Sequence, residues 1–471
     1  MNNQKPNDFV KSAKIAMKDE QLRTALDRAS ANVRVAYDEV FAELEDERAI
    51  RQQGRAAKLR ALHDLPHLLE RAEKKIIDNG GTVLWAIDGD EANQHVLDIC
   101  NQHELKRGVK AKSMVTEEIE LLPMLEKHGI EVIETDLGEY IVQVSDDRPS
   151  HVVMPAMHLT KESIRDLLMD KADMPYAETA EEMTAFARDT LRDKYLQADF
   201  GMSGGNFLIA ETGHLVIVTN EGNGRMSTGI PPVHIALVGI EKVIPTWEDF
   251  LTLLQLLTRA ATGQRLSVYV NIMSAASRAD DSDGPRHFYL ILLDNGRSDI
   301  YDSEYAEALA CIRCGACLNI CPVFTKVGGH AYGGVYPGPI GSVITPLLNG
   351  KGNAHPLPFA SSLCGACKEA CPLNIDLPDM LLKLRHDLQY KQKPVWKAMM
   401  KGFGIGFSNP TLYNAGGKFA SKFASGKGEQ DMLKTLPYPL NGWTKNRDFP
   451  ALAKQRFRDW WKENREADSE Q

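Results

Sequence analysis

The chain has 471 residues, with 55 Lys and Arg against 64 Asp and Glu, for a formal net charge of −9. That length and a 43% apolar content fit about two to four globular domains, and the mild acidity gives no reason to expect nucleic acid or an anionic membrane as partner. A disulfide scaffold is excluded, because only 8 Cys are present and seven of them crowd between Cys311 and Cys371.

The opening residues MNNQKPNDFVKSAKIAMKDE lack the apolar core of a secretory signal. The longest charge-free stretch, residues 327–350, is rich in Gly and Pro and would leave backbone groups unpaired in lipid. No integral membrane segment is expected. The expected location is the cytoplasm, peripheral to a membrane only through partners, where clustered thiols point to metal.

Residues 1–69 read as a helical extension. Apolar residues recur at helical spacing up to about residue 78, as in Leu59, Leu62, Leu65 and Leu69, and Gly54 is the only breaker between Phe9 and Leu65. Residues 70–297 read as an α/β domain with a substantially parallel sheet. Strands are expected at 82–87, 130–134, 140–144, 151–155, 206–210, 215–219, 234–239 and 288–294. Helices are expected at 92–103, 161–171, 180–197 and 247–262. The basic run Lys106, Arg107, Lys110 and Lys112 reads as a solvated loop. Cys100, His158 and His234 read as core residues.

Two strand-end loops, Glu211-Thr212-Gly213 and Asn220-Glu221-Gly222-Asn223, are candidates for a small anion or a partner. Tight turns would explain them equally well. Gly224 to Gly229 begins like a phosphate loop, but Ile230-Pro231 stand where Lys and Ser/Thr would be needed, which excludes nucleotide hydrolysis.

Residues 303–390 carry two cysteine motifs. The first, Cys311, Cys314, Cys317 and Cys321-Pro322, has the C-x2-C-x2-C-x3-C-P spacing of bacterial ferredoxins. The second, Cys364, Cys367 and Cys371-Pro372, repeats its last three cysteines, with Ser361 at the place of the first. In a crossed arrangement Cys311, Cys314, Cys317 and Cys371 hold one 4Fe-4S cluster. Cys321, Cys364 and Cys367 hold the second, with Ser361 as a possible fourth position. The second cluster could instead be 3Fe-4S or take a non-cysteine ligand. Zinc, which favours paired C-x2-C steps, fits seven cysteines badly. His330 and His355 lie between the motifs and could tune a cluster. Residues 391–471 form a basic, aromatic, helical tail whose Trp396, Met399, Met400, Phe403 and Phe407 could pack internally or dock a subunit.

The chain resembles the lactate-utilisation protein B family. The resemblance rests on both cysteine motifs and on the segments Lys112–Ile119, Glu134–Ile141, Val218–Arg225, Asp283–Pro285, Asp294–Ser298 and Arg447–Trp460. Some members carry a cysteine where this chain has Ser361. The resemblance implies an α/β lactate-utilisation domain, similar to the sugar-phosphate isomerase and CoA-transferase class, followed by a helical ferredoxin-like domain. It implies an iron–sulfur electron-transfer subunit in L-lactate oxidation to pyruvate, with a cysteine-rich A subunit and a C subunit as partners. A catalytic subunit that binds lactate itself and a non-enzymatic scaffold are the alternatives. The chain lacks a flavin or nicotinamide fingerprint, so hydride transfer by it alone is not expected.

Overall fold

Four helices precede the first strand: Phe9–Ala16, Glu20–Ala42, Glu47–His63 and Leu65–Asp78. Their breaks follow capping chemistry. Asp19 accepts from Leu22 N at 2.9 Å and Asp46 from Ala49 N at 2.8 Å, each satisfying an orphan N–H of a new helix. Gly54, the expected breaker, sits inside the third helix. A Cβ there would come within 2.3 Å of Leu256 Cδ1, so this glycine allows close helix packing. The structure is a computed structural model that describes residues 5–391, 394–424, 432–436 and 440–465.

Among the described residues of the unit ending at Gln389, ten strands follow: β1 Thr82–Ala86, β2 Arg107–Lys110, β3 Glu131–Glu134, β4 Phe200–Ser203, β5 Phe207–Ile209, β6 His214–Thr219, β7 Val233–Gly239, β8 Val243–Ile244, β9 Tyr269–Met273 and β10 His287–Leu293. Six form a parallel sheet in the order β1-β10-β7-β4-β2-β3. Its central strands are apolar on both faces, as a sheet covered by helices on both sides requires. Tyr289, Ile291 and Leu293 of β10 pack with the helix Gly89–Gln102 on one side. Phe288, Leu290 and Leu292 pack with Leu65–Asp78 on the other. The remaining four form a second, mixed sheet in the order β8-β5-β6-β9.

Several sequence expectations are corrected. Residues 140–144 lie in a helix, Leu137–Ser145. Asp136 accepts from Glu139 N at 3.1 Å, and this cap overrides the β-propensity of Ile141 and Val142. Residues 151–155 form no strand: His151 Nδ1 accepts from Val153 N at 3.0 Å and Met154 N at 3.1 Å, turning the chain. β1 is a half-exposed edge strand rather than a buried one. The basic run at 106–112 is not a solvated loop but contains β2. Lys110 is fully buried, its Nζ 2.5 Å from Glu134 Oε1 and 3.5 Å from Glu117 Oε1. A buried ammonium persists only when so paired.

Next to that pair, burial and the neighbouring Glu134 push Glu139 up to about 8. Its unfolded value is near 4.5. The folded state therefore holds a proton that the unfolded state releases, and the contribution to stability fades as pH rises from about 4.5 to about 8. Glu139→Gln should remove this loss, gaining on the wild type at up to about 1.4 kcal/mol per pH unit across that window. Denaturant unfolding at pH 5 and pH 8 checks it; an unchanged difference between the two proteins would refute the assignment.

The cysteine-bearing residues share one core with the N-terminal helices and the helix Trp247–Thr262. All of these belong to the unit ending at Gln389. The second unit, from Tyr390 on, contains the helices Pro394–Ser408 and Pro410–Ala424. Pro394–Ser408 buries none of its residues; Phe403 and Phe407 stack on each other with ring centres 4.1 Å apart. No helix among the described residues is long and apolar enough to cross a membrane.

Candidate metal centre

The two cysteine motifs fold as a structural repeat. Arg313 and Leu363 both have positive φ, 61° and 55°. Gly315 and Gly365 follow with φ of 77° and 87°, where glycine avoids the Cβ clash. Short helices begin immediately after, Ala316–Asn319 and Ala366–Glu369. Arg313 N donates to Cys311 Sγ at 3.4 Å, and Leu363 N donates to Ser361 Oγ at 3.1 Å. Ser361 thus occupies, in the second turn, the place that Cys311 occupies in the first.

No cysteine forms a disulfide. The thiols fall into two groups by mutual electrostatics. Burial pushes the Cys314 and Cys317 thiols far up and Cys371 to about 11. Each is then raised further by other members of the set Cys311, Cys314, Cys317 and Cys371. Burial likewise pushes Cys367 to about 12, with Cys321 and Cys364 adding to it. Burial raises Cys321 too, and Cys364 is its charged thiol neighbour. Cys364 is exposed, and its thiol is lowered by the Ala366 N–H and by Ser362.

A soft metal fits this donor set. Bare buried thiols cannot ionise together, whereas coordinated ones are deprotonated outright. Backbone N–H groups already point at the sulfurs: Ile340 at Cys317, Val323 and Phe324 at Cys321, Leu373 and Ile375 at Cys371. Each of these lowers its thiol, as expected of a donor that favours the anion.

The N-terminal helices clamp the second motif. Tyr37 Oη donates to Ala370 O at 3.1 Å, and Arg51 Nη1 donates to Glu369 O at 2.8 Å and Cys371 O at 3.2 Å. Beside Cys311 lies a buried charge network that the sequence did not reveal. Lys58 Nζ donates to Glu241 O at 2.6 Å. Arg297 pairs with Glu241 at 2.6 Å and with Glu118 at 2.7 Å. Arg313 lies 3.7 Å and Lys242 4.0 Å from Glu241 Oε1. Burial alone would raise Glu241, but Arg297, Lys242 and Arg313 hold it down at about 2. Burial lowers Lys58 to about 7 and Lys242 to about 8, and Cys311 opposes it in both. Lys242, Arg297 and Arg313 thus face two carboxylates, Glu118 and Glu241, on the Cys311 side, and Lys58 donates to the Glu241 backbone carbonyl. The excess cationic charge suits an anionic metal–thiolate group.

The α/β candidates separate. Asn220, Glu221 and Asn223 line a cavity of about 370 Å³, with Gly222 at the start of the helix Asn223–Gly229 beside them. Burial and Asp136 raise Glu221 to about 7. Glu211, Thr212 and Gly213 form the β5–β6 turn instead. There Glu211 accepts from Trp247 N at 3.1 Å, Thr212 O accepts from Asn79, and Gly213 has φ 72°. His234 is a buried core residue bonded to Ser203 Oγ at 2.7 Å, and burial lowers it to about 3. His330 and His158 group with Asp147, and His330 Nε2 donates to Arg148 O at 2.6 Å.

The LUD domain model matches residues 69–293, the 4Fe-4S dicluster domain model residues 307–375, and the model for the C-terminal region of lactate utilisation protein B residues 383–466. Lactate utilization protein B of Bacillus velezensis is 43% identical over 96% of this chain and 96% of that protein. The protein of that name from Bacillus subtilis is 43% identical over 94% and 93%. The chain belongs to the lactate utilization protein B family. The family members span the helical extension, the α/β domain, the cysteine motifs and the tail together, since the matches cover nearly the whole length. A DUF162 family protein from Deinococcus radiodurans covers 49% of this chain and 98% of its own, at 15% identity and a TM-score of 0.26. That likeness is too low to bear on the fold.

Proposed function

We propose that this chain relays single electrons during L-lactate oxidation to pyruvate. One 4Fe-4S cluster would be held by Cys311, Cys314, Cys317 and Cys371. The other would be held by Cys321, Cys364 and Cys367, with Ser361 at the fourth position. When bound, such clusters supply one-electron steps at potentials set by their surroundings. The structural repeat of the two cysteine turns, in a chain of the lactate utilization protein B family, carries this reading.

The protein residues divide the work. The N-terminal helices and the α/β domain exclude water from Cys314 and Cys317. Lys58, Lys242 and Arg313 offset negative charge near Cys311, which favours the more reduced state. The exposed Cys364 leaves the second site open to a partner. We assign that role to the cysteine-rich A subunit or the C subunit of the lactate-utilisation system. The isolated full chain, kept anaerobic, should take up about two electrons from dithionite and yet fail to oxidise lactate. Lactate turnover by the single chain would overturn the relay in favour of direct catalysis, and an inert chain would favour a scaffold.

Ser361→Cys should supply an eighth thiolate. Its second cluster should survive exposure to air longer than that of the wild type, as followed by the visible charge-transfer band. Identical decay of the two proteins would place Ser361 outside the cluster.

A further inference from the structure

Asp147, His158 and His330 come together from three places in the chain. Asp147 follows the helix Leu137–Ser145, His158 precedes the helix Lys161–Lys171, and His330 begins the short turn His330–Tyr332 between the two cysteine motifs. One donor atom of each lies within 4.8 Å of the other two. The segments press closely on each other: a Cβ on Gly329 would come within 1.8 Å of Ser150 O. The rings of His158 and His330 meet edge to face with centres 4.5 Å apart.

Hydrogen bonding fixes which atoms face the centre. Ser150 Oγ donates to Pro155 O at 3.0 Å, so it accepts from His158 Nδ1 at 3.0 Å. The proton therefore sits on Nδ1, and Nε2 presents a lone pair. His158 Nε2 is buried without a hydrogen-bond partner, in a side chain only 8% exposed. It faces Asp147 Oδ2 at 3.5 Å. Two facing acceptors repel unless a cation lies between them. His330 Nε2 lies 3.9 Å from Asp147 Oδ1 and donates to Arg148 O at 2.6 Å. It reaches an ion by moving its proton to Nδ1, which leaves the Arg148 carbonyl or solvent for a fourth position.

Zinc bonds of about 2.0–2.1 Å at tetrahedral angles put neighbouring donors about 3.4 Å apart. The 3.5 and 3.9 Å separations lie close to that. The bond from His158 Nδ1 to Ser150 is the outer partner that a ligating histidine ordinarily has. Asp147 also lines a cleft of about 1200 Å³ with Glu120, Glu126, Glu131 and Asp146, whose carboxylates concentrate cations near it. The Arg148 guanidinium is turned to Glu120 at 3.5 Å.

We propose that Asp147, His158 and His330 hold one zinc ion, separate from the cysteine centres, which pins the segment between the two cysteine motifs to the α/β domain. The proposal does not rest on the relay, because it uses none of the seven cysteines.

The test equilibrates the anaerobic, cluster-loaded full chain with micromolar zinc chloride, removes free ion by desalting, and measures zinc and iron by plasma mass spectrometry. Thermal unfolding is followed with and without zinc. About one zinc per chain should be retained with iron unchanged, and zinc should raise the melting temperature. His158→Gln and His330→Gln should each weaken zinc binding by about 100-fold or more, and Ser150→Ala by about tenfold. If His158→Gln fails to fold, His330→Gln decides, since its side chain is 24% exposed. The proposal is overturned if no zinc is retained, if zinc enters only as iron is lost, or if His330→Gln retains zinc as the wild type does. A melting temperature that bound zinc leaves unchanged overturns the pinning role.

Discussion

Cys371→Ser should cost the protein the cluster of the first motif, although Cys371 belongs to the second. Burial and Cys311 both raise the Cys371 thiol, and Cys371 in turn raises those of Cys314 and Cys317. In the crossed arrangement, iron should fall from about eight to about four per chain, and the remaining signal should be that of the Cys321, Cys364 and Cys367 site. Cys364→Ser should do the reverse. Iron analysis with EPR of the reduced variants separates the two. If Cys371→Ser instead removes the signal that Cys364→Ser removes, each motif holds its own cluster and the assignment fails.

Glu241→Ala should be the most destabilising single change outside the cysteines. Glu241 is 1% exposed and faces Arg297, Arg313 and Lys242, and its backbone carbonyl receives Lys58. Removing one partner of a buried ion network leaves uncompensated charge, at about 3–5 kcal/mol. Arg297 keeps Glu118, but Lys242 and Arg313 lose their nearest carboxylate. The same change deletes a negative charge near Cys311, so the potential of the first cluster should rise. Denaturant unfolding and redox titration of the anaerobic protein read the two effects. A stability within about 1 kcal/mol of wild type would show that the network relaxes or is hydrated.

The cysteine motifs were legible because each step is local: a C-x2-C turn, a glycine at positive φ and a C-P exit are all written within a few residues. The Ser361 substitution was legible for the same reason, since its turn repeats that of Cys311. The parallel sheet was legible in the long apolar strands β7 and β10, which are buried on both faces. β2 was not, because Lys110 looks solvated until Glu134, on the neighbouring strand, is brought beside it. Helix Leu137–Ser145 was missed because a single aspartate cap outweighs a β-branched run. The network at Glu241 joins Lys58, Glu118, Arg297 and Arg313, which are far apart in sequence and have no shared spacing. The charged pair Glu241-Lys242, one residue beyond a fully buried strand, was an available signal.

Seven thiolates, with Ser361 as a possible fourth position of the second set, are proposed to hold two iron–sulfur clusters. The most direct measurement is iron and acid-labile sulfide per chain on anaerobically purified wild type, combined with EPR of the reduced protein. The account predicts about eight iron and about eight sulfide, with two interacting spin systems; about seven iron would mark a 3Fe-4S form at the Ser361 site. About four iron with a single spin system, or zinc in place of iron, would contradict it.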